Sequence, residues 1–359
     1  MNERQATGFT MDRVLRVLVV DDSAYVRKVV KQMLCRSPFI EVVGVARDGA
    51  EGLEMVRELQ PDVVTCDLIM PGIDGISFLR EQMARKFVPV VVVSIANESG
   101  ELALAALDAG AIDFVQKPTA LATEKIFEVS DELIEKVKAA ATASTRHLLI
   151  PPSGASVDTR PASIVEPRAG LIDVIVLGIS TGGPQALKYL VPQLPVDLPV
   201  PLAVVLHMPV GYTEMYARKL DSISQIRVAE AREGDRAEPG MMLLAPAGRH
   251  LTFQRDASGA VITHLDTRPF DTPHRPSVDV LFQSAAETFR DRTLGVVMTG
   301  MGSDGKQGAA WIKSQGGLVF TEAEETCVIY GMPAAVIEGG LSDRSVPLDR
   351  MAEAILEVV

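Results

Sequence analysis

Hydrophobic residues in the first 142 positions fall into short runs that alternate with amphipathic segments. The runs are rich in valine and isoleucine, and segments such as AYVRKVVKQML and KIFEVSDELIEKVKAA show the spacing of helices. Continuous apolar strands separated by helices are typical of parallel sheets that are buried on both faces. The pattern therefore predicts a doubly wound α/β domain with strands at 15–20, 41–46, 62–66, 89–93 and 112–115.

A second alternating pattern runs from about residue 172 to the end, with strand candidates at 173–178, 201–206, 241–245, 294–299 and 317–320. Within it, HLTFQRDASGAVITHLD predicts a hairpin that turns at Ser-Gly. Residues 143–170 are rich in Pro, Ser, Ala and Gly and show neither period, as linkers do. We therefore expect two doubly wound parallel-sheet domains, 14–140 and 171–359, joined by a linker over 141–170.

Composition narrows the class of protein. A chain of 359 residues with 47% hydrophobic and 23% charged residues is long enough for two buried cores. Its net charge of −12 argues against a nucleic-acid partner, because such binding needs a basic surface. The three cysteines form no disulfide or metal-binding pattern, and no apolar run approaches the about 20 residues of a membrane span. Since MNERQATGFTMDR has no signal-peptide pattern, we expect a cytoplasmic protein without membrane insertion.

Five polar side chains stand at the ends of strands in the first predicted sheet. Asp21 and Asp22 follow the first strand, and Asp67, Ser94 and Lys117 follow the later ones. The carboxyl ends of parallel strands meet at one edge, so the three carboxylates should converge and require a hard cation such as Mg²⁺. A single acid at a strand end is more often a solvated turn, but five such residues favour a metal-assisted aspartyl-phosphate site.

Three motifs of this half, VVDDSAYVRKVV, CDLIMPGIDG and DFVQKP, resemble those of response-regulator receiver domains. The resemblance covers about residues 14–140 and implies a flavodoxin-like fold that is phosphorylated by a histidine kinase in the presence of Mg²⁺. The residues that it implicates are Asp67 as the phosphoryl acceptor, Asp21 and Asp22 with Asp67 as Mg²⁺ ligands, Lys117 as the partner of the phosphoryl group, and Ser94 with Phe114 as a conformational relay.

The segment DVIVLGISTGGPQAL of the second half predicts a strand, a tight turn and a helix, with a G-x-S-x-G match around Ser180. A serine hydroxyl needs a neighbouring base to act as a nucleophile. Of the five histidines, His207 is the best placed because it ends a buried strand, and Asp304 follows another strand in a glycine-rich loop. A serine that opens a helix is more often an N-cap, but a histidine and an aspartate at strand ends favour an acyl-transfer triad.

The motifs GISTGGP, LHMPVGYT, SVDVLF and TGMGSDG resemble the catalytic domain of chemotaxis protein-glutamate methylesterases, which also carry an N-terminal receiver. The resemblance implies a Rossmann-like domain that removes methyl groups from glutamate γ-methyl esters of chemoreceptors and deamidates receptor glutamines. It also implies activation by phosphorylation and no cofactor at the esterase site, and we expect a monomer. The resemblance implies a triad of Ser180 as the nucleophile, His207 as the proton shuttle and Asp304 as the acid that holds the His207 tautomer. It also implies that the Met301 N–H donates to the oxyanion and that Thr181 lies near it. His274 either lines the substrate groove or lies in a polar surface loop.

Two rival interpretations come from other functional classes. Gly300–Gly305 also matches G-x-G-x-x-G, and Glu322 lies near the spacing of the acid that binds ribose in dinucleotide-dependent oxidoreductases. This reading is disfavoured because the motif opens no first βαβ unit and because Asp304 would repel a pyrophosphate. A receiver joined to a binding module with an inactive triad is disfavoured because all three triad residue types are present.

Overall fold

The computed structural model describes residues 13–94, 100–117, 123–143, 170, 172–269 and 271–359, with the backbone alone at 123–128. The chain forms two compact units, Met1–Thr142 and Ala143–Val359. Most of the predicted linker, 144–169, lies outside the described residues, and the expected domain bounds stay predictions. No helix in the described ranges combines the length and the apolar composition that crossing a bilayer requires.

The first unit is a five-stranded parallel sheet with helices between its strands. The strands are β1 (Leu15–Val20), β2 (Ile40–Ala46), β3 (Val63–Cys66), β4 (Val90–Ser94) and β5 (Asp113–Gln116). The helices are α1 (Ala24–Leu34), α2 (Gly49–Leu59), α3 (Gly75–Arg85), α4 (Gly100–Asp108) and α5 (Thr123–Thr142). The strand order β2-β1-β3-β4-β5 is that of a flavodoxin-like fold, which confirms the predicted class.

Side-chain caps keep the loops of this unit short where the acidic residues lie. The Ser23 hydroxyl accepts a hydrogen bond from the first turn of α1, so only Asp21 and Asp22 separate that cap from β1. Asp74 caps α3 in the same way, eight residues after the end of β3. The carboxylates are therefore held on short loops at the carboxyl end of the sheet.

The second unit is built on a parallel sheet of seven strands with the order β14-β13-β12-β6-β7-β9-β8. These strands are β6 (Val174–Ile179), β7 (Leu202–Leu206), β8 (Arg227–Glu230), β9 (Met241–Leu244), β12 (Thr293–Val297), β13 (Leu318–Glu322) and β14 (Arg344–Val346). A separate antiparallel pair, β10 (His250–Arg255) and β11 (Val261–Asp266), forms the predicted hairpin. The doubly wound class is confirmed here as well.

The helices of the second unit are α6 (Gly183–Leu190), α7 (Thr213–Asp221), α8 (Val278–Phe289), α9 (Lys306–Ser314), α10 (Met332–Glu338) and α11 (Leu348–Leu356). One hydrophobic core joins inward-facing strand residues to α8 and to the hairpin, through Val176, Leu243, Phe253 and Phe282. The hairpin is therefore packed on the sheet domain through α8, which begins beside the loop that carries Asp304.

The structure adds two strands that the hydrophobic pattern did not predict. The strand β8 has four residues and β14 has three, and each lies at an edge of the seven-stranded sheet. Short edge strands carry polar residues on their exposed side and so lack a continuous apolar run. The bounds of β1 are those predicted, and the bounds of the other predicted strands differ by one or two residues.

Each sheet has a topological switch point beside its first strand, where the chain connections leave in opposite directions. In the first unit, β1 lies between β2 and β3, and in the second unit β6 lies between β7 and β12. Ligands of doubly wound proteins bind in the crevice at such a point, beyond the carboxyl ends of the strands. The loops after β1 and β3 carry the acidic residues, and the loops after β6 and β12 carry Ser180 and Asp304.

Candidate active site and candidate metal centre

Ser180 lies at the first position after β6, on a tight turn into α6. Its N–H donates to the Thr299 carbonyl at 3.0 Å, and its own carbonyl accepts the Gly183 N–H at 2.7 Å. Gly182 completes the turn with a φ of 82°, and a Cβ at this position would lie 2.6 Å from Val328. The turn therefore requires glycine and holds the half-buried Ser180 at the end of the strand.

His207 and Asp304 form a direct pair beside this turn. Their Nε2 and Oδ2 atoms are 2.9 Å apart, and the His207 N–H donates to the Ile179 carbonyl at 3.1 Å. The other ring nitrogen, Nδ1, is buried and has no hydrogen-bond partner among the described residues. The structure thus joins the histidine and the aspartate and places them next to Ser180, although no hydrogen bond between Ser180 and His207 is present within the described ranges.

Asp304 is held at the start of α8. Its carboxylate accepts the N–H groups of Val278 and Asp279, at 2.8 and 2.9 Å, and the Ser277 hydroxyl at 2.9 Å. Burial alone would raise the pKa of Asp304, but the hydrogen bonds and charge interaction with His207 and the backbone N–H groups outweigh it and hold this pKa below its usual range. Asp304 is therefore an ionised, fixed acceptor for the His207 ring.

The residues proposed to bind the oxyanion and the substrate lie around the same turn. A Cβ at Gly300 would lie 2.8 Å from the Ser180 Cβ, so the backbone leading to Met301 packs directly on the serine. The Thr181 carbonyl accepts the Thr299 hydroxyl at 3.0 Å, and Thr181 is buried. The His274 ring stacks on His207 with its centroid 4.1 Å away. His274 is exposed on the loop between β11 and α8, so the structure places it in a surface loop and also beside His207, and its role in lining the substrate groove stays a prediction.

No role was predicted from the sequence for the residues that hold Asp304. Ser277 caps α8, and its N–H donates to His250 Nδ1 at 3.2 Å. Because Nδ1 accepts this bond, the His250 proton lies on Nε2, which donates to the Pro269 carbonyl at 3.1 Å. Burial lowers the pKa of His250, which favours this neutral form. The serine and aspartate of SVDVLF are a recognisable helix-capping signal, but the contribution of His250 depends on a tertiary contact with the hairpin.

Glu322, the acid of the rival dinucleotide reading, faces the interior. It has no exposed surface, and its Oε2 accepts the Thr299 N–H at 2.9 Å. A ribose-binding acid must reach the cleft, and this side chain does not. Asp304, which lies within the same Gly300–Gly305 segment, is hydrogen-bonded to His207 and to the first turn of α8. The geometry therefore disfavours a dinucleotide site at Gly300–Gly305.

The acidic residues of the first unit converge as expected from the strand ends. One oxygen from each of Asp21, Asp22 and Asp67 lies within 4.8 Å of the others. Lys117 Nζ is 2.7 Å from both Asp21 Oδ2 and Asp67 Oδ2. Burial raises the pKa of Asp21 despite the hydrogen bond and charge of Lys117. A set of three carboxylates with one side open to solvent at Asp22 fits a hard divalent cation such as Mg²⁺.

The predicted relay residues lie on the two strands next to this cluster. Ser94 ends β4, is buried, and accepts the Lys117 N–H at its carbonyl at 2.7 Å. Phe114 in β5 is buried, and Lys136 Nζ donates to its carbonyl at 2.7 Å. Both residues are therefore coupled through the backbone to lysines, and Lys136 was not identified from the sequence.

Two family models match separate parts of the chain. The CheB methylesterase model matches residues 175–355, which is half of the chain. The chain belongs to the CheB methylesterase family. The response regulator receiver domain model matches residues 17–128, so this CheB-family chain also carries a receiver domain.

Relatives in the CheB family match nearly the whole chain. Protein-glutamate methylesterase/protein-glutamine glutaminase 5 of Myxococcus xanthus (strain DK1622) is 50% identical over 338 residues, 94% of this chain and 96% of that protein. The Thermotoga maritima protein-glutamate methylesterase/protein-glutamine glutaminase is 40% identical over 350 residues, 97% and 99% of the two chains. The crystal structure of the Thermotoga maritima CheB methylesterase catalytic domain is 41% identical with a TM-score of 0.51, covering 52% of this chain and 99% of that chain.

Proposed function

We propose that this CheB-family chain hydrolyses glutamate γ-methyl esters on methyl-accepting chemotaxis receptors, releasing methanol, and deamidates specific receptor glutamines to glutamate. The observation that carries the proposal is the 2.9 Å pairing of His207 with Asp304 beside the Ser180 turn. The relatives from Myxococcus and Thermotoga are named for the same two reactions. Such hydrolysis would give sensory adaptation in chemotaxis.

In the proposed mechanism, Ser180 Oγ attacks the acyl carbon while its proton passes to His207. The accepting atom is Nδ1, because Nε2 is engaged by Asp304. The negative charge on the tetrahedral oxygen is stabilised by the Met301 N–H, with Thr181 nearby. His207 then gives the proton to the departing methanol or ammonia, which leaves an acyl-enzyme. Attack by water, with the same proton transfers, releases glutamate and restores Ser180.

His274 would contribute to substrate binding. Its ring covers one face of the His207 ring, with 24° between the two planes. A stacked ring of this kind limits the rotation of the catalytic imidazole and forms a wall beside it. We therefore propose that His274 lines the groove that receives the receptor helix.

For the receiver domain, we propose that a histidine kinase is the phosphodonor and that phosphorylation activates the hydrolase. Mg²⁺ bound at the acidic cluster would offset the negative charge of the phosphoryl oxygens during transfer. Lys117 supports this assignment because its ammonium group contacts two of the carboxylates and partly neutralises their negative charge. The proposed roles are phosphoryl acceptor for Asp67, Mg²⁺ ligands for Asp21, Asp22 and Asp67, phosphoryl partner for Lys117, and relay for Ser94 and Phe114.

The remaining partner assignments follow from composition and family. We propose a cytoplasmic monomer, since the substrate segments of chemoreceptors and the kinases that phosphorylate receivers lie in the cytoplasm. Nucleic acid is an unsuitable partner for a chain of net charge −12.

Methanol release from a methylated cytoplasmic receptor fragment tests this function. The wild-type chain should release methanol, and the rate should rise when a small-molecule phosphodonor and Mg²⁺ are present. An unmethylated fragment with the same sequence is the control and should give no methanol. Absence of methanol from every methylated receptor fragment tested, with or without phosphodonor, would refute the proposal, and nicotinamide absorbance in the purified protein would favour the oxidoreductase reading.

A further inference from the structure

We infer that Glu322 is a positioning residue that fixes the Ser180 turn and the Gly300–Met301 backbone through Thr299. The inference rests on the proposed hydrolase function, since it concerns the same site. Glu322 touches neither Ser180 nor the proposed substrate position. It acts through one neighbouring residue, and that residue contacts both parts of the site.

Glu322 is a carboxylic acid in an apolar interior. It ends β13, where all five strand residues are buried, and its own side chain has no exposed surface. Its Oε2 accepts the Thr299 N–H at 2.9 Å, whereas its buried Oε1 has no hydrogen-bond partner in the parts of the chain that the structure describes. A buried carboxyl group with one unmatched oxygen destabilises a fold, and an apolar side chain of similar volume would avoid that cost.

Thr299 is the point at which the loops of the site meet. Its carbonyl accepts the Ser180 N–H at 3.0 Å, and its hydroxyl donates to the Thr181 carbonyl at 3.0 Å. The same hydroxyl accepts the Ile329 N–H at 3.0 Å. The carbonyl and hydroxyl groups of Thr299 therefore bond these loops, whereas its N–H donates to Glu322. The carboxyl group thus completes the hydrogen bonding of the residue that anchors the serine.

A displacement of Thr299 would be transmitted to the reacting groups because the adjoining backbone has no free space. A Cβ at Gly300 would lie 2.8 Å from the Ser180 Cβ and 2.4 Å from Met332 Sδ. The Gly300 N–H donates to the Ile329 carbonyl at 3.0 Å, which fixes the segment on its other side. Misplacement of reacting groups by about 1 Å can lower a rate by about 100-fold. Glu322 therefore sets the geometry of both the nucleophile and the Met301 N–H.

What Glu322 supplies is a hydrogen-bond acceptor, which a neutral carboxyl group or an amide also offers. Burial raises the pKa of Glu322 to about 7, and this is offset only in part by the Thr299 hydrogen bond and by the Thr326 and Cys327 side chains, which lie near the carboxyl group without meeting hydrogen-bond geometry at Oε1. The neutral form is consequently well populated near neutral pH. Glu322→Gln should keep the Thr299 contact, whereas Glu322→Leu fills the same volume without an acceptor.

The test compares these two variants of the full-length chain on methylated receptor fragment and on p-nitrophenyl acetate. We expect Glu322→Leu to lower kcat by about 10- to 100-fold with KM nearly unchanged, and Glu322→Gln to restore kcat to within about threefold of wild type. Thr321→Val is the matched control, because Thr321 is equally buried on the same strand but bonds Ser342 and not Thr299. It should leave kcat unchanged.

The outcomes separate this inference from the proposed function. Wild-type kcat in Glu322→Leu would overturn the inference, as would an equal loss in Glu322→Gln, while the receptor assay of the wild type decides the function independently. If Glu322→Leu does not fold, Glu322→Met, which likewise offers no oxygen acceptor to the Thr299 N–H, takes its place in the comparison with Glu322→Gln. Equal kcat values for Glu322→Met and Glu322→Gln would also overturn the inference.

Discussion

The Nε2 atom of His207 lies 2.9 Å from Oδ2 of Asp304, and the buried Nδ1 of the same ring has no partner among the described residues. An ionised carboxylate accepts hydrogen bonds only, so it fixes the proton of a neutral His207 on Nε2. In the proposed triad, the lone pair on Nδ1 is the one that would accept the Ser180 proton. This orientation is the reverse of the chymotrypsin arrangement, in which Nδ1 faces the acid and Nε2 faces the serine.

Replacement of Asp304 by asparagine should lower kcat by about 10⁴-fold without unfolding the domain, as the equivalent change does in other serine triads. An amide N–H at the Oδ2 position would face both His207 Nε2 and the Val278 N–H, which disfavours the required tautomer, and at the Oδ1 position it would face the Asp279 N–H. Nitrogen NMR of the imidazole should show a loss of the Nε2-protonated form. Asp221→Asn, at the end of α7, is the control and should keep the wild-type rate. If Asp304→Asn also kept the wild-type rate, another acid would have to orient His207.

Replacement of Lys117 by methionine should destabilise the receiver domain by about 1–3 kcal/mol in the absence of Mg²⁺, because two buried carboxylates lose their shared cation. Added Mg²⁺ should restore stability more strongly in this variant than in the wild type. Urea unfolding with and without Mg²⁺ measures both effects. Lys138→Met, which removes an exposed ion pair with Glu135, should show neither effect. Equal Mg²⁺ stabilisation of both variants would argue against a metal site at Asp21, Asp22 and Asp67.

The pKa of Glu322 predicts how stability depends on pH. The folded carboxyl group has a pKa of about 7, against a usual value of 4.5, so unfolding releases a proton between these values. The contribution of this group to stability should therefore be highest below pH 4.5 and should fall as the pH rises to about 7. Relative to the wild type, Glu322→Gln should gain about 1–3 kcal/mol between pH 5 and pH 8. Denaturant unfolding at pH 5 and at pH 8 measures this gain. Glu353→Gln, at an exposed site, is the control and should show no such gain. A stability difference between Glu322→Gln and the wild type that is the same at both pH values would contradict the pKa shift.

The isolated fragment 170–359 should hydrolyse ester faster than the unphosphorylated full-length chain and should not respond to a phosphodonor. We expect this because phosphorylation at Asp67 would release a restraint on the hydrolase, for which a differential stabilisation of up to about 5.5 kcal/mol suffices. Asp67→Asn in the full-length chain should abolish the response, and Asp131→Asn should preserve it. A folded fragment that is slower than the intact unphosphorylated chain would show that the receiver is an activator or a docking device.

The strand-end logic predicted the fold class and the positions of Ser180, His207 and Asp304 because those features depend on local sequence. Each follows a continuous apolar run, and parallel strands bring such ends together. The residues that hold Asp304 were not predicted, since His250 comes from a hairpin that is distant in sequence and is oriented by tertiary contacts. The edge strand β8 was missed because it is too short to show a period.

Glu322 shows how a spacing argument can name a residue and give it the wrong surroundings. Its distance from Gly300–Gly305 fits a ribose-binding acid, but the structure turns it inward to Thr299. Sequence spacing fixes neither the direction of a side chain at a strand end nor its burial. Lys136 was missed for the same reason, since its contact with the Phe114 carbonyl joins α5 to β5.

Methanol release by Ser180→Ala tests the assignment of the nucleophile. The variant should keep the wild-type melting temperature and lose about 10⁴- to 10⁶-fold in rate on methylated receptor fragment, as expected when a triad loses its nucleophile. Ser222→Ala, in which the lost hydroxyl donates to the Lys219 carbonyl at the end of α7, should release methanol at the wild-type rate. A Ser180→Ala protein that retained more than a few per cent of the wild-type rate would contradict the proposed triad.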